Sequence, residues 1–252
     1  MAKVMRENNF SNFETLKLLL KSEHFFDNDQ FNTLLKSPLD FTIGIYKELD
    51  IYNGDLVKWV QQENKTYYYS LNPRTDLFPT NVTNPISKAW YFFRNMKWSL
   101  TSGGMELFSP PNVSGWPAYY QAPVYDLFWV NSVTIKKRKE TSESATRWGV
   151  WMYDGVNAKY DLKKYLETYS NPSDFNSLLS EMEFRLLGAS LPEQARSRIK
   201  NSVLGEALNP QYWTDSVNDF FNTPNEDNRN NLSWRFETLL YQFHELAEIH
   251  IH

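Results

Sequence analysis

The sequence predicts an all-α protein, mainly helical, in which many helices form an irregular array around a long central loop rich in Pro, Gly and aromatic residues. Apolar residues recur at helical spacing over most of the chain, and several of these segments begin with good N-terminal caps. No clear strand alternation, fixed-period repeat or heptad array is present. A short hairpin around residues 65–77 is the one departure left open.

The best-marked helix begins at Ser37, an N-cap residue followed by Pro38 at the first helical position. Phe41, Ile45 and Leu49 then share one face. The same reasoning predicts helices over residues 11–26, around 56–60, and over 84–100, 125–139, 142–152, 161–169, 173–188, 192–204, 210–221 and from 225 to the end. Asp154 and Gly155 suggest a linker, and hence a soft subdivision of the chain into residues 1–152 and 160–252.

Composition excludes several classes of function. The net charge is -4 and Lys and Arg are scattered, so no nucleic-acid partner is expected. The longest basic cluster, residues 136–139, is interpreted as the solvated C-terminal turn of a helix. No apolar run is long enough for a membrane span, the first residues lack an export signal, and the absence of cysteine excludes disulfides and thiolate nucleophiles.

Aromatic residues make up 16% of the chain, which fits two roles. Large rings fill helical cores, and exposed rings stack on sugars. We favour the core for most of them. The candidates for an exposed cluster lie in or near the central loop, and they are Asn112, Trp116, Tyr119, Tyr120 and Trp129, with Trp98 beside them.

The central loop is stiff, because Pro110 and Pro111 fix their own φ angles and the residue before each proline is pushed toward an extended conformation. Such a loop can present Asn112 and Trp116 to a ligand. Equally, Trp116 can fill a gap between helices, with the prolines holding it there. Both interpretations stay open at this point.

No catalytic machinery is recognisable. The chain has no nucleophile elbow and no Gly-rich phosphate loop, and its pairs of acidic residues are of a kind common on solvated surfaces. The histidines are His24, His244, His250 and His252. Because His250 and His252 are two positions apart, they point to different faces of a helix, so we expect neither a metal nor another cofactor.

One stretch of the central loop carries a family resemblance. It reads Pro110-Pro111-Asn112-Val113-Ser114-Gly115-Trp116-Pro117-Ala118-Tyr119-Tyr120-Gln121. Residues 104–107 before it, and residues 129–132 and Arg138 after it, belong to the same resemblance. The stretch resembles the signature of the bacterial domain-of-unknown-function family 1800. Residues 20–27, 36–41 and 248–252 resemble further segments of that family in the expected order.

The resemblance implies that residues 1–252 are the C-terminal helical half of a longer protein of the Bacteroidetes type. Such proteins often carry export signals and are encoded beside a sulfatase-like partner family, which implies a periplasmic or extracellular location. The resemblance brings no established activity and no catalytic residues.

Two hypotheses follow. The first is a binding or assembly module of the bacterial envelope or secreted fraction, with a carbohydrate or an envelope protein as its partner. The alternative is a polysaccharide-acting hydrolase whose site is completed by an N-terminal half, and this hypothesis requires acidic groups in a cleft beside the Pro-Trp loop. Whether the chain is an enzyme is left open, as are its ligand and oligomeric state.

Overall fold

The structure is a computed structural model that describes residues 1–27, 34–62, 65–70, 85–110, 113, 115, 129–153, 156–205 and 209–251. The described chain is mainly helical, which confirms the predicted fold class, and it contains one four-stranded sheet. It divides into two units, residues 1–36 with 250–252 and residues 37–249. These boundaries differ from the subdivision at residues 152–160, which stays a prediction.

The smaller unit is built from α1 (Ala2–Glu7), α2 (Asn12–Leu20) and a 3-10 turn (Glu23–Phe26). Ser11, the first residue of the predicted segment, is the N-cap of α2, and its side chain accepts a hydrogen bond from the Glu14 N–H. The helix ends at Leu20 and does not extend to residue 26. The last residues of the chain belong to the same unit. The Lys36 N–H donates a 2.7 Å hydrogen bond to the His250 carbonyl, and Leu35 and Ile251 form an antiparallel bridge.

In the larger unit, α3 (Pro38–Glu48) forms where the sequence predicts it. The Ser37 hydroxyl accepts from the Asp40 N–H at 3.1 Å, and the Asp40 carboxylate accepts from the Ser37 N–H at 3.3 Å. Phe41, Ile45 and Leu49 are all buried. Local capping and spacing are therefore sufficient to specify this helix.

The sheet lies where the sequence predicts a helix and a linker. Strands β1 (Asp55–Gln62) and β2 (Lys65–Ser70) form one antiparallel hairpin, and β3 (Val150–Tyr153) and β4 (Val156–Lys159) form another. β1 also pairs with β4, which gives the order β2-β1-β4-β3. The helix predicted around residues 56–60 is wrong, because Val57, Trp59 and Val60 suit a strand once a partner is available.

Helix α4 (Pro85–Ser102) confirms the prediction for residues 84–100. Helix α5 (Ser132–Glu143) continues into a π-helical turn (Ser144–Trp148). Gly149 then takes φ 78°, a conformation open to glycine, and the chain enters β3, so the helix predicted over 142–152 stops early. The remaining elements are α6 (Leu162–Leu166), α7 (Phe175–Met182) with a π-helical turn (Glu183–Leu187), α8 (Glu193–Leu204), α9 (Gln211–Asn222), α10 (Glu226–His244) and a 3-10 turn (Ala247–His250).

Aromatic side chains fill the core of the larger unit, as the composition suggests. Trp213 is fully buried and contacts Phe175 and Phe236 at ring-centroid distances of 5.2 and 6.3 Å. Its indole N–H donates to the Pro172 carbonyl at 2.8 Å, so the buried N–H group has a hydrogen-bond partner. Among the residues that the structure describes, no helix is both long and apolar enough to cross a bilayer.

Candidate ligand-binding surface

Helix α4 carries aromatic residues on a face that the core does not use. Trp90, Arg94 and Trp98 are four residues apart, so they follow one another along one side of the helix. Trp90 is 54% exposed and Trp98 is 71% exposed. Trp151 of β3, 43% exposed, lies against the same side. We call Trp90, Tyr91, Arg94, Trp98 and Trp151 the aromatic surface.

Arg94 organises this surface. Its guanidinium carbon is 4.9 Å from the ring centre of Trp90, 5.2 Å from that of Tyr91 and 5.0 Å from that of Trp151. Each contact of this kind contributes on the order of 0.5–1 kcal/mol at an exposed site. Within the described part of the chain, no carboxylate and no hydrogen-bond acceptor pairs with Arg94. Its N–H groups are therefore available beside the indoles of Trp90 and Trp151.

A second link fixes the strand to the helix. The Asn95 side-chain amide donates to the Tyr91 carbonyl at 3.1 Å and also to the Trp151 carbonyl. The rings of Tyr91 and Trp151 meet edge to face, with their centres 6.4 Å apart. Trp151 and Trp90 thus keep a fixed spacing although they belong to different elements.

The structure describes two of the aromatic site residues that the sequence suggests. Trp98 is exposed and belongs to the aromatic surface. Trp129 is only 8% exposed, so little of its ring can contact a ligand. Its backbone carbonyl accepts a 2.9 Å hydrogen bond from the Thr134 hydroxyl. The other candidates lie outside the described residues, and they are Asn112, Trp116, Tyr119 and Tyr120.

Sequence reasoning misses four members of the aromatic surface, Trp90, Tyr91, Arg94 and Trp151, for two different reasons. The first three lie on a predicted helix whose exposed face the sequence analysis does not single out, although the spacing of Trp90 and Arg94 to Trp98 is a readable signal. Trp151 falls in a predicted helix that the structure replaces with β3. Its position beside Arg94 depends on the pairing of distant strands, which leaves no local signal.

The basic cluster at residues 136–139 is not a solvated helix end, which corrects the interpretation from sequence. It lies in the middle of α5, where Arg138 is buried over the Phe41 ring at 5.0 Å. Burial lowers the pKa of Arg138 to about 10, and the nearby Asp40 carboxylate offsets part of that effect. Lys139 instead pairs across to Glu245 at 2.6 Å.

A buried charge pair links the sheet to α10. The Lys159 ammonium forms a salt bridge with Glu237 and donates to the Arg147 carbonyl at 2.9 Å. Burial lowers the pKa of Lys159 and raises the pKa of Glu237, and in each case the charge of the partner opposes the effect. Because both side chains are largely enclosed, this pair joins two elements and does not present a reactive group.

The histidines do not form a site with acidic neighbours in the described part of the chain. No group of three or more His, Asp or Glu side chains there is placed to hold a metal ion. His244 is buried at the end of α10, and the His250 carbonyl is used by Lys36. His252 lies outside the described residues.

Comparison with known families decides the identity. Residues 1–225 match the model of the family described as "Protein of unknown function (DUF1800)". The chain belongs to this family. DUF1800 is the family that the central motif and its flanking segments indicate, and the match covers α1–α9. No curated protein and no solved structure is significantly similar to this DUF1800 chain.

Proposed function

We propose that this DUF1800 chain is a carbohydrate-binding module that acts in the bacterial envelope or as a secreted protein. The observation that carries the proposal is the aromatic surface, in which Arg94 holds Trp90 and Trp151 at a fixed spacing while about half of each indole remains exposed. Single exposed hydrophobic residues are common, whereas a contiguous group of exposed rings often marks a binding surface.

The chemistry of the aromatic surface suits a sugar. Indole faces pack against the apolar C–H faces of sugar rings. The N–H donors of Arg94, which have no acceptor among the described residues, can serve the hydroxyl groups at the ring edges. Trp98, one turn further along α4, extends the same side of the helix. An extended row of rings fits a polysaccharide chain better than a single sugar.

The hydrolase alternative stays a prediction. It requires acidic groups in a cleft beside the Pro-Trp loop, and most of residues 110–117 lie outside the described residues. The envelope or secreted location likewise rests on the family resemblance. The carbohydrate proposal does not depend on either point.

The first prediction concerns the two indoles. We expect Trp90→Ala and Trp151→Ala each to weaken binding to a polysaccharide about tenfold, because each loses a stacking face worth about 1.4 kcal/mol. Pull-down onto insoluble polysaccharides and a glycan array measure the loss, and circular dichroism checks the fold of each variant. Trp234→Ala is the matched control, because Trp234 is 62% exposed and lies on α10, away from α4 and β3, with its ring 5.6 Å from the Arg235 guanidinium carbon.

Three outcomes contradict the proposal. The first is folded wild-type protein that binds no polysaccharide, and the second is an equal loss for Trp234→Ala. The third is full binding by a double variant that lacks both Trp90 and Trp151. Binding of a purified envelope protein that these two substitutions abolish, with no glycan binding, would assign the aromatic surface to a protein partner instead.

A further inference from the structure

A second feature of the larger unit is a small polar cleft, with a volume of about 190 Å³. It lies between the C-terminal end of α3 with the turn that follows it, the α6 segment and the π-helical turn after α7. Its polar side chains come from all three segments and include Glu48, Asp50, Asn53, Asp161, Lys164 and Arg185. We call this the polar cleft.

The floor of the polar cleft is a fixed hydrogen-bond network. The Tyr165 hydroxyl, which is buried, donates to Glu48 Oε1 at 2.9 Å and lies 2.9 Å from the Tyr169 hydroxyl. Burial raises the pKa of Tyr165 well above its ordinary value and raises that of Tyr169 to about 12. Both tyrosines therefore stay protonated at neutral pH, and Tyr165 keeps its donor on Glu48.

Arg185 is held rigidly at the wall of the cleft. Its Nε is 2.8 Å from Glu48 Oε1, and its Nη1 donates to the Thr168 hydroxyl at 2.7 Å. The guanidinium also lies over the Tyr169 ring, 5.1 Å from its centre. With Nε and Nη1 engaged, the donors of Nη2 have no hydrogen-bond partner among the described residues.

The other cleft residues also keep hydrogen-bonding capacity. Lys164 uses one donor on Asp50, at 2.6 Å, and Asp161 Oδ1 accepts from the Lys164 N–H at 3.0 Å. Asn53 donates to Asp50 at 2.8 Å through its amide nitrogen. Within the described residues, Glu48 Oε2, Asp161 Oδ2 and Asn53 Oδ1 accept no hydrogen bond, so the cleft offers both acceptors and donors.

Charge and size restrict what fits. Three cations, Lys47, Lys164 and Arg185, face three carboxylates, Glu48, Asp50 and Asp161, so the lining carries no net charge. Anions and cations gain little from such a lining. The volume, about 190 Å³, is below the roughly 300–1,000 Å³ of sites for drug-sized ligands.

We infer that the polar cleft binds one neutral sugar ring. A hydroxyl group both donates and accepts, so adjacent hydroxyls on a sugar match a lining that offers carboxylate and amide oxygens together with Arg and Lys donors. The Arg185–Glu48 and Lys164–Asp50 pairs are already formed, so they need little reorganisation when a ligand enters. This inference rests on residues separate from the aromatic surface and does not need the proposed polysaccharide binding.

The test uses neutral monosaccharides as probes. Saturation-transfer NMR with glucose, galactose, mannose and N-acetylglucosamine at millimolar concentration should give a signal for at least one of them with the full chain. Arg185→Gln should weaken this binding about tenfold or more, because it removes a charged donor. Lys164→Ala should weaken sugar binding severalfold. Because the Lys164 side chain is solvent-exposed, we expect this variant to fold, so it provides the test if Arg185→Gln does not fold. Arg198→Gln, on the exposed side of α8, is the matched control and should bind as wild type does.

Each other outcome overturns the inference. Folded wild type that binds none of the four sugars excludes a sugar site, and full binding by folded Lys164→Ala places the sugar elsewhere. Displacement of the sugar by inorganic phosphate or glycine would assign the polar cleft to a charged ligand. The Trp90→Ala, Trp151→Ala double variant separates the two proposals, because it should lose polysaccharide binding and keep the monosaccharide signal.

Discussion

Glu237→Gln is expected to lower the free energy of unfolding by about 3–5 kcal/mol, because it leaves the Lys159 ammonium in a buried site without its carboxylate. The side chains of Lys159 and Glu237 are only 7% and 14% exposed, so water cannot replace the lost charge. Urea denaturation followed by circular dichroism measures the change. This loss would be a large part of the stability of an ordinary domain.

The pH dependence of the variant provides a second readout. Burial already lowers the pKa of Lys159 in the folded protein, and removing Glu237 takes away the charge that opposes this effect. A lysine whose folded-state pKa lies below its unfolded value of about 10.4 destabilises the protein while it is charged. We therefore expect the deficit of Glu237→Gln relative to wild type to shrink as the pH rises from the folded-state pKa of Lys159 in the variant toward its higher folded-state pKa in the wild-type protein.

Two further variants show whether the cost comes from the unpaired charge. Lys159→Met combined with Glu237→Leu removes both charges, and we expect it to recover most of the lost stability. Glu245→Gln makes the same chemical change on the same helical segment, but its pair with Lys139 is exposed, so it should cost at most about 1 kcal/mol. Equal effects of Glu237→Gln and Glu245→Gln would contradict the argument.

Helices could be predicted from the sequence where their signals are local. Ser37, Pro38 and Asp40 specify the start of α3 within a few residues of chain, and the structure contains that capping box. The sequence predicts a helix from residue 173, and in the structure α7 begins at Phe175 with Asp174 as its N-cap, whose side chain accepts from the Asn176 and Ser177 N–H groups. Caps and periodicity therefore fix the existence of helices more firmly than their ends.

The sheet could not be predicted in the same way. Leu56, Val57 and Val60 have a spacing that also suits one face of a helix. This segment is a strand because it pairs with β2 on one side and with β4, far along the chain, on the other. The spacing of Trp98 on α4 was visible, whereas Trp151 reaches Arg94 only because β3 is in that sheet. The sequence can therefore predict the residues that α4 contributes to the candidate site, but not the contribution of Trp151 from β3.

Gly54→Ala is the other substitution for which we expect a large effect, a loss of about 3 kcal/mol in the free energy of unfolding. A methyl group at Gly54 would lie 2.0 Å from the Lys159 carbonyl oxygen and 2.8 Å from its carbonyl carbon. These are backbone atoms at the end of β4, so relief requires the strand to move. Thermal and urea unfolding measure the loss. Gly44→Ala is the matched control, because the added methyl has no neighbour within 4 Å and a helical alanine should gain about 0.5–1 kcal/mol.

Gly54 and Glu237 both act on Lys159, one at its backbone and the other at its side chain, so their combination is informative. Gly54 packs against the backbone of Lys159, and Glu237 holds its side chain. If Gly54→Ala displaces that end of β4, the salt bridge is already weakened, and Glu237→Gln should cost less in the double variant than alone. Strict additivity would mean that the clash is relieved on the side of the turn before β1, with Lys159 left in place. A cost below the sum shows instead that this single strand end couples the sheet to α10.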